Sequence, residues 1–146
     1  MTTLSQPGAQ LYDDGVQLYS STAITATGSG TVEALFPGSI SGVVLTCTIA
    51  SAGSSSGDKL DMYVQTMLDG SSWLDVCHFT QITGVSTGIC MVDKIHRDGA
   101  VTAFATTDTL AADAQRDIVG SKWRARWVIT SSTDPTFSAS VYAQPM

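Results

Sequence analysis

The stretch from Lys59 to Gln81, KLDMYVQTMLDGSSWLDVCHFTQ, narrows the possible folds more than any other. Leu60, Met62, Val64, Thr66 and Leu68 alternate with Asp61, Tyr63, Gln65 and Met67, and a period of two marks a strand with one face in a core. Asp69-Gly70 follows, with a glycine able to take positive φ, and Ser71 and Ser72 lengthen the loop. Trp73 opens a return strand that runs through Val76 and Phe79 until Gly84 ends it. The pattern predicts a β-hairpin whose second face, carrying Asp61 and Asp75, is solvated.

Lys122 to Thr130 is the other anchor. Trp123, Ala125, Trp127 and Ile129 fall on one face, and Arg124, Arg126, Val128 and Thr130 on the other. Burying two indole rings of roughly 200 Å² each, at about 25 cal/mol per Å², contributes about 5 kcal/mol apiece before entropy. That rivals the net stability of a whole domain, so this strand is expected at the centre of a sheet. Val43, Leu45, Cys47 and Ile49 alternate with Val44, Thr46 and Thr48 as a further core strand. After an Asp134-Pro135 turn, Phe137, Ala139, Val141 and Ala143 form the last inward face. The predicted core therefore rests on Trp123, Trp127, Val43, Leu45, Ile49, Val64, Phe137 and Val141.

The remaining segments carry weaker patterns. Val16 to Thr25 reads as a strand with Val16, Leu18 and Ser20 on one side. Gly28-Ser29-Gly30 reads as a turn into a strand from Thr31 to Phe36, stopped by Pro37-Gly38. Ser51 to Gly57, SAGSSSG, is a flexible surface loop. Ser86 to His96 places Ile89, Met91 and Ile95 on one face, Arg97-Asp98-Gly99 turns the chain, and Ala100 to Thr106 returns. Thr107 to Val119 fits either a short helix capped by Asp108 or Thr109 or a loop feeding a short strand. Residues 1–15 lack a period and read as an arm ahead of a single domain over 16–146. Such an arm is a frayed terminus or a strap along a neighbouring molecule, with Leu11 and Tyr12 as anchors. Eight or more short strands with at most one short helix imply an all-β antiparallel sandwich, jelly-roll-like.

Composition then limits what such a domain does. The 146 residues include a single glutamate, Glu33, against twelve aspartates, and lysine is scarce, which argues against helical surfaces. Charged residues make up only 14%, and the formal net charge is −6. Phosphate backbones need clustered Lys and Arg, so no nucleic-acid partner is expected of seven scattered cations. No apolar run is long enough to span a bilayer, and the first fifteen residues lack the basic and apolar regions of a signal peptide. Cys47, Cys77 and Cys90 are odd in number and lack paired spacing, so free thiols in a reducing cytosol are expected.

No motif for catalysis, metal or cofactor emerges. His78 directly follows Cys77, so on a regular strand the two point to opposite faces. His96 sits beside a turn and reads as a solvated residue. Asp61 and Asp75 are a conceivable carboxylate pair across the hairpin, although solvation is the usual fate of such positions. Asp13-Asp14-Gly15 and Asp58-Asp61 lack calcium-loop spacing. Gly28 to Gly30 precedes a strand and is no phosphate loop. Arg124 and Arg126 share an outward face on a cation-poor chain. They could pair with a partner's carboxylates, or form ladder pairs with aspartates on their own sheet, the commoner arrangement.

The stretches DKLDMYVQTMLDGSSWLDVCHFTQITG and WRARWVITSSTDPTFSASVYAQ resemble the small β-sandwich virion proteins of tailed bacteriophages, over about Thr46 to Gln144. The resemblance implies a non-enzymatic decoration or cement protein that binds the outside of a capsid and bridges major capsid protein subunits, itself a homodimer or homotrimer. It would be assembled in the host cytoplasm. A neck or tail component shares the fold and the class. A carbohydrate- or receptor-binding module is the rival of a different class, and it would use coplanar exposed aromatics drawn from Trp73, Tyr12 and Tyr63.

Overall fold

Strand pairing nests around the hairpin. The computed structural model describes residues 5–6, 9–51, 55–84, 89–99, 103, 105, 109–131 and 135–146. Among these the strands are β1 (Ser5–Gln6), β2 (Ala9–Leu11), β3 (Val16–Ile24), β4 (Gly28–Ser29), β5 (Ala34–Leu35), β6 (Gly42–Ser51), β7 (Lys59–Met67), β8 (Trp73–His78), β9 (Ile82–Thr83), β10 (Ile89–His96), β11 (Trp123–Thr130) and β12 (Phe137–Pro145), with no helix. One sheet has four strands in the order β10-β6-β12-β3. The other runs β1-β2-β5-β11-β7-β8, with β4 also on β11 and β9 on β7.

Taken in chain order, the principal strands are β3, the β4–β5 pair, β6, β7, β8, β10, β11 and β12. The small sheet then reads first, eighth, third, sixth, and the large sheet second, seventh, fourth, fifth. Four pairs are nested inside one another: β7 with β8, β6 with β10, β5 with β11 and β3 with β12. A long antiparallel ribbon with the β7–β8 turn at its tip, rolled up, gives this order, which is the jelly roll. Gly70 takes φ +82° at the tip. The Asp69 carboxylate accepts the backbone N–H groups of Ser71 and Ser72 at 3.0 and 2.6 Å.

The two inner faces meet as the periodicity predicts. Val43, Leu45, Cys47 and Ile49 of β6, Phe137 and Val141 of β12, Leu60 and Val64 of β7, and Trp123 of β11 have no exposed surface, and Trp127 is nearly buried. Trp127 donates its indole N–H to the Ala26 carbonyl at 2.8 Å and stacks on Tyr19. Trp123 Nε1, also buried, has no partner.

Several local readings are corrected. Ser20 faces outward because a bulge at Leu18 shifts the β3–β12 register: Gln17 pairs with Tyr142 and Tyr19 with Val141, so Leu18 and Tyr19 both turn inward. The strand expected over Thr31 to Phe36 shrinks to β5. Gly28-Ser29, read as a turn, is instead β4 against Trp127 and Arg126. A Cβ at Gly28 would lie 3.2 Å from the Trp127 ring, so glycine allows that approach. Leu68 lies past the end of β7 and is exposed. Of the two readings for residues 109–119, the loop is the one found, with a turn from Ala111 to Ala114, Asp113 at φ +62° and a single bridge to β8 between Cys77 and Gln115. Residues 52–54, 86–88, 107–108 and 134, and most of the return strand expected over 100–106, lie outside the described residues.

Candidate interaction surfaces

The outer face of the large sheet is not the solvated surface its polarity suggests. On β7, Asp61, Tyr63, Gln65 and Met67 are only 5–8% exposed. Two devices cover them. Long side chains from β11 lie across β7: the Arg126 guanidinium sits 3.9 Å over the Tyr63 ring, and that of Arg124 sits 4.3 Å over the half-buried Trp73 ring on β8. The segment 109–119 runs along β8, with Asp113 N–H donating to His78 O and Arg116 N–H to Val76 O at 2.9 and 2.8 Å, and it shields that sheet edge.

Beneath this cover the polar groups are matched. Arg126 holds Asp75 with two bonds, Nε to Oδ1 at 3.2 Å and Nη2 to Oδ2 at 2.9 Å. Gln65 Nε2 donates to the same Asp75 Oδ1, and its own Oε1 accepts Arg124 Nε–H at 2.9 Å. Arg126 thus forms the sheet ladder with an aspartate, whereas Arg124 bonds a neutral amide. Asp61 and Asp75 are buried and not solvated. Asp61 and Asp75 are held by different partners, Asp61 by His78 and Gln81 and Asp75 by Arg126 and Gln65.

His78 is placed by a second bulge. The β7–β8 register passes from Val64 opposite Cys77 to Gln65 opposite Asp75, leaving Val76 as an extra residue. Val76 and Cys77 both enter the core, and His78 returns to the outer face, stacked on Tyr63 at 4.0 Å. Its Nδ1 lies 2.9 Å from Leu110 O, and its Nε2 lies 2.9 Å from Asp61 Oδ1, which Gln81 Nε2 also bonds. A carbonyl only accepts, so Nδ1 is the donor to Leu110, and Nε2 faces the Asp61 carboxylate. Both ring nitrogens are therefore engaged inside the protein. A recess of about 140 Å³ beside His78 is lined by Thr80, Asp93 and Asp113, and Thr80 donates to Asp113. The ring has no free nitrogen to offer it.

Cys47 and Cys77 are buried free thiols, and burial pushes both upward, Cys47 to about 12. Cys90 is free and exposed. His96 is exposed. Asp58 is buried, with Ser55 N–H and Ser131 Oγ–H on its oxygens.

The outer face of the small sheet has the opposite character. Register aligns Cys90, Thr48, Ser140 and Ser20 in one row across its four strands, and Val92, Thr46, Tyr142 and Gln17 in the next. Lys94, Val44 and Gln144 make a third row. Lys94 is the one formally charged residue in these rows. Asp14 reaches only the rim, through Gln144 Nε2 at 3.2 Å. Val92 and Tyr142, exposed to 63% and 42%, flank Thr46 in the same row, one on β10 and the other on β12. Sequence reading passed over this face because its residues alternate as an ordinary strand exterior; only the paucity of charge in them was a signal.

Of the residues expected in the N-terminal arm, Leu11 pairs in parallel with Leu35, and Tyr12 donates its N–H to Leu35 O at 2.7 Å while packing on the core. Leu11 and Tyr12 thus lie on their own sheet. No protein-family model, curated protein or solved structure matches this chain.

Proposed function

We propose that this is a structural protein of a tailed-phage virion, a decoration or cement protein that binds the capsid exterior and stabilises it by bridging major capsid subunits. The observation that carries the reading is the outer face of the small sheet. A chain of net charge −6 keeps carboxylates off three aligned rows of mostly neutral side chains on a four-stranded surface. Such a surface has few charges to desolvate, so many modest contacts can add up on a repeating lattice. The Arg124–Trp73 corner lies on the opposite layer, and bridging needs contacts on two sides. Jelly rolls also serve in viral capsid and lectin domains, which supports the reading by analogy alone.

The carbohydrate-binding rival finds less support. Trp73 lies under Arg124, Tyr63 under Arg126, and Tyr12 packs on the core, so these rings form no open common platform. Counting copies per virion tests the proposal: hundreds fit a shell protein, whereas six or twelve would assign the chain to the neck or tail.

A further inference from the structure

Lys122, just ahead of β11, and Arg124 and Arg126 within it stand at alternate positions, and their environments differ. Lys122 Nζ lies 3.5 Å from Glu33, and Arg126 is doubly bonded to Asp75. Arg124 touches no carboxylate among the described residues. We propose that Arg124, held over the Trp73 ring, is a prebuilt receptor for a carboxylate side chain of a protein partner.

Three features fix the geometry. Arg124 Nε–H is spent on Gln65 Oε1, and Gln65 cannot flip, because its Nε2 is held by Asp75, itself clamped by Arg126. One face of the guanidinium is covered by the Trp73 ring at 4.3 Å. What remains is the edge bearing Nη1 and Nη2, two parallel donors at the spacing of a carboxylate. The ordering of a long side chain, normally a cost of binding, has already occurred on folding. Partial burial, with Arg126 nearby, lowers the Arg124 pKa, while the more distant charges of Glu33 and Asp75 act in the opposite direction.

The surroundings select the partner. An Arg beside a Trp is the usual composition of a binding hot spot. The acidic chain as a whole repels a phosphate backbone, which favours an isolated protein carboxylate over nucleic acid. The inference does not depend on the capsid reading: heads indifferent to the protein would leave it intact, with a different acidic protein as partner.

Glutarate, titrated into the full chain, is the probe, with the Trp73 indole and Arg124 Nε–H signals read by NMR. Saturable shifts of both signals are expected, with a midpoint on the order of tens of millimolar, as suits one bidentate pair. Arg124→Lys keeps the charge but loses the fork and should weaken binding roughly fivefold or more, while Arg124→Gln should abolish the shifts. The wild-type titration stands alone if a variant fails to fold. No saturation in the wild-type chain, unchanged shifts in Arg124→Gln, or tighter binding of a single-stranded oligonucleotide at the same site would overturn the proposal.

Discussion

At the scale of single residues, two buried polar groups make opposed predictions. Trp127 donates its indole N–H to Ala26, whereas the Trp123 N–H is buried without a partner. Replacing either with Phe removes the same atoms from the core, so the cavity terms nearly cancel. Trp127→Phe should therefore cost about 1 kcal/mol more than Trp123→Phe, because only the former loses a hydrogen bond and only the latter removes an unsatisfied donor. Urea melts of the two variants check this. His78→Ala removes both bonds of the ring and leaves Asp61 buried with only Gln81 on it. A loss of about 3 kcal/mol is expected from the same melts. Nitrogen NMR of the wild-type ring should show Nδ1 protonated.

At the scale of elements, the β7–β8 turn is stabilised by one carboxylate. Backbone N–H groups of Ser71 and Ser72 hold Asp69 down to about 2. A carboxyl whose folded value lies below its unfolded value of about 3.9 stabilises above that unfolded value and loses the effect as pH falls through the folded one. Thermal melts should therefore show Asp69→Ala melting below wild type at pH 6. The gap should close between about pH 4 and pH 2. The hairpin and the inner faces were legible because Leu60 to Thr66, Val43 to Ile49 and Trp123 to Ile129 alternate without interruption. Three features were not. The bulges at Leu18 and Val76 shift which residues face inward, and neither position has a local signature. Burial of Asp61, Gln65 and Asp75 comes from arginines reaching over from β11 and from the segment along β8, both distant in sequence.

At the scale of the molecule, nested pairing sets folding kinetics as well as shape. β3 cannot meet β12 until more than a hundred intervening residues are arranged, so loop closure is deferred and folding should be slow. Stopped-flow refolding should show relaxation on the millisecond-to-second scale, as for other two-sheet β proteins. The sandwich also has two unlike exteriors: the large sheet is covered by its own arginines and the 109–119 segment, whereas the central strands of the small sheet carry nothing over their Ser/Thr rows among the described residues. That asymmetry underlies the proposal that the small-sheet face mates with a shell. Thr48, exposed at the middle of this face, allows a charge to be introduced without touching the core. The decisive measurement is the temperature at which heads release DNA when stripped of this protein, restored with wild type, or restored with Thr48→Glu. The account predicts early rupture of stripped heads, recovery with wild type and little recovery with the variant; equal rupture temperatures in all three would contradict it.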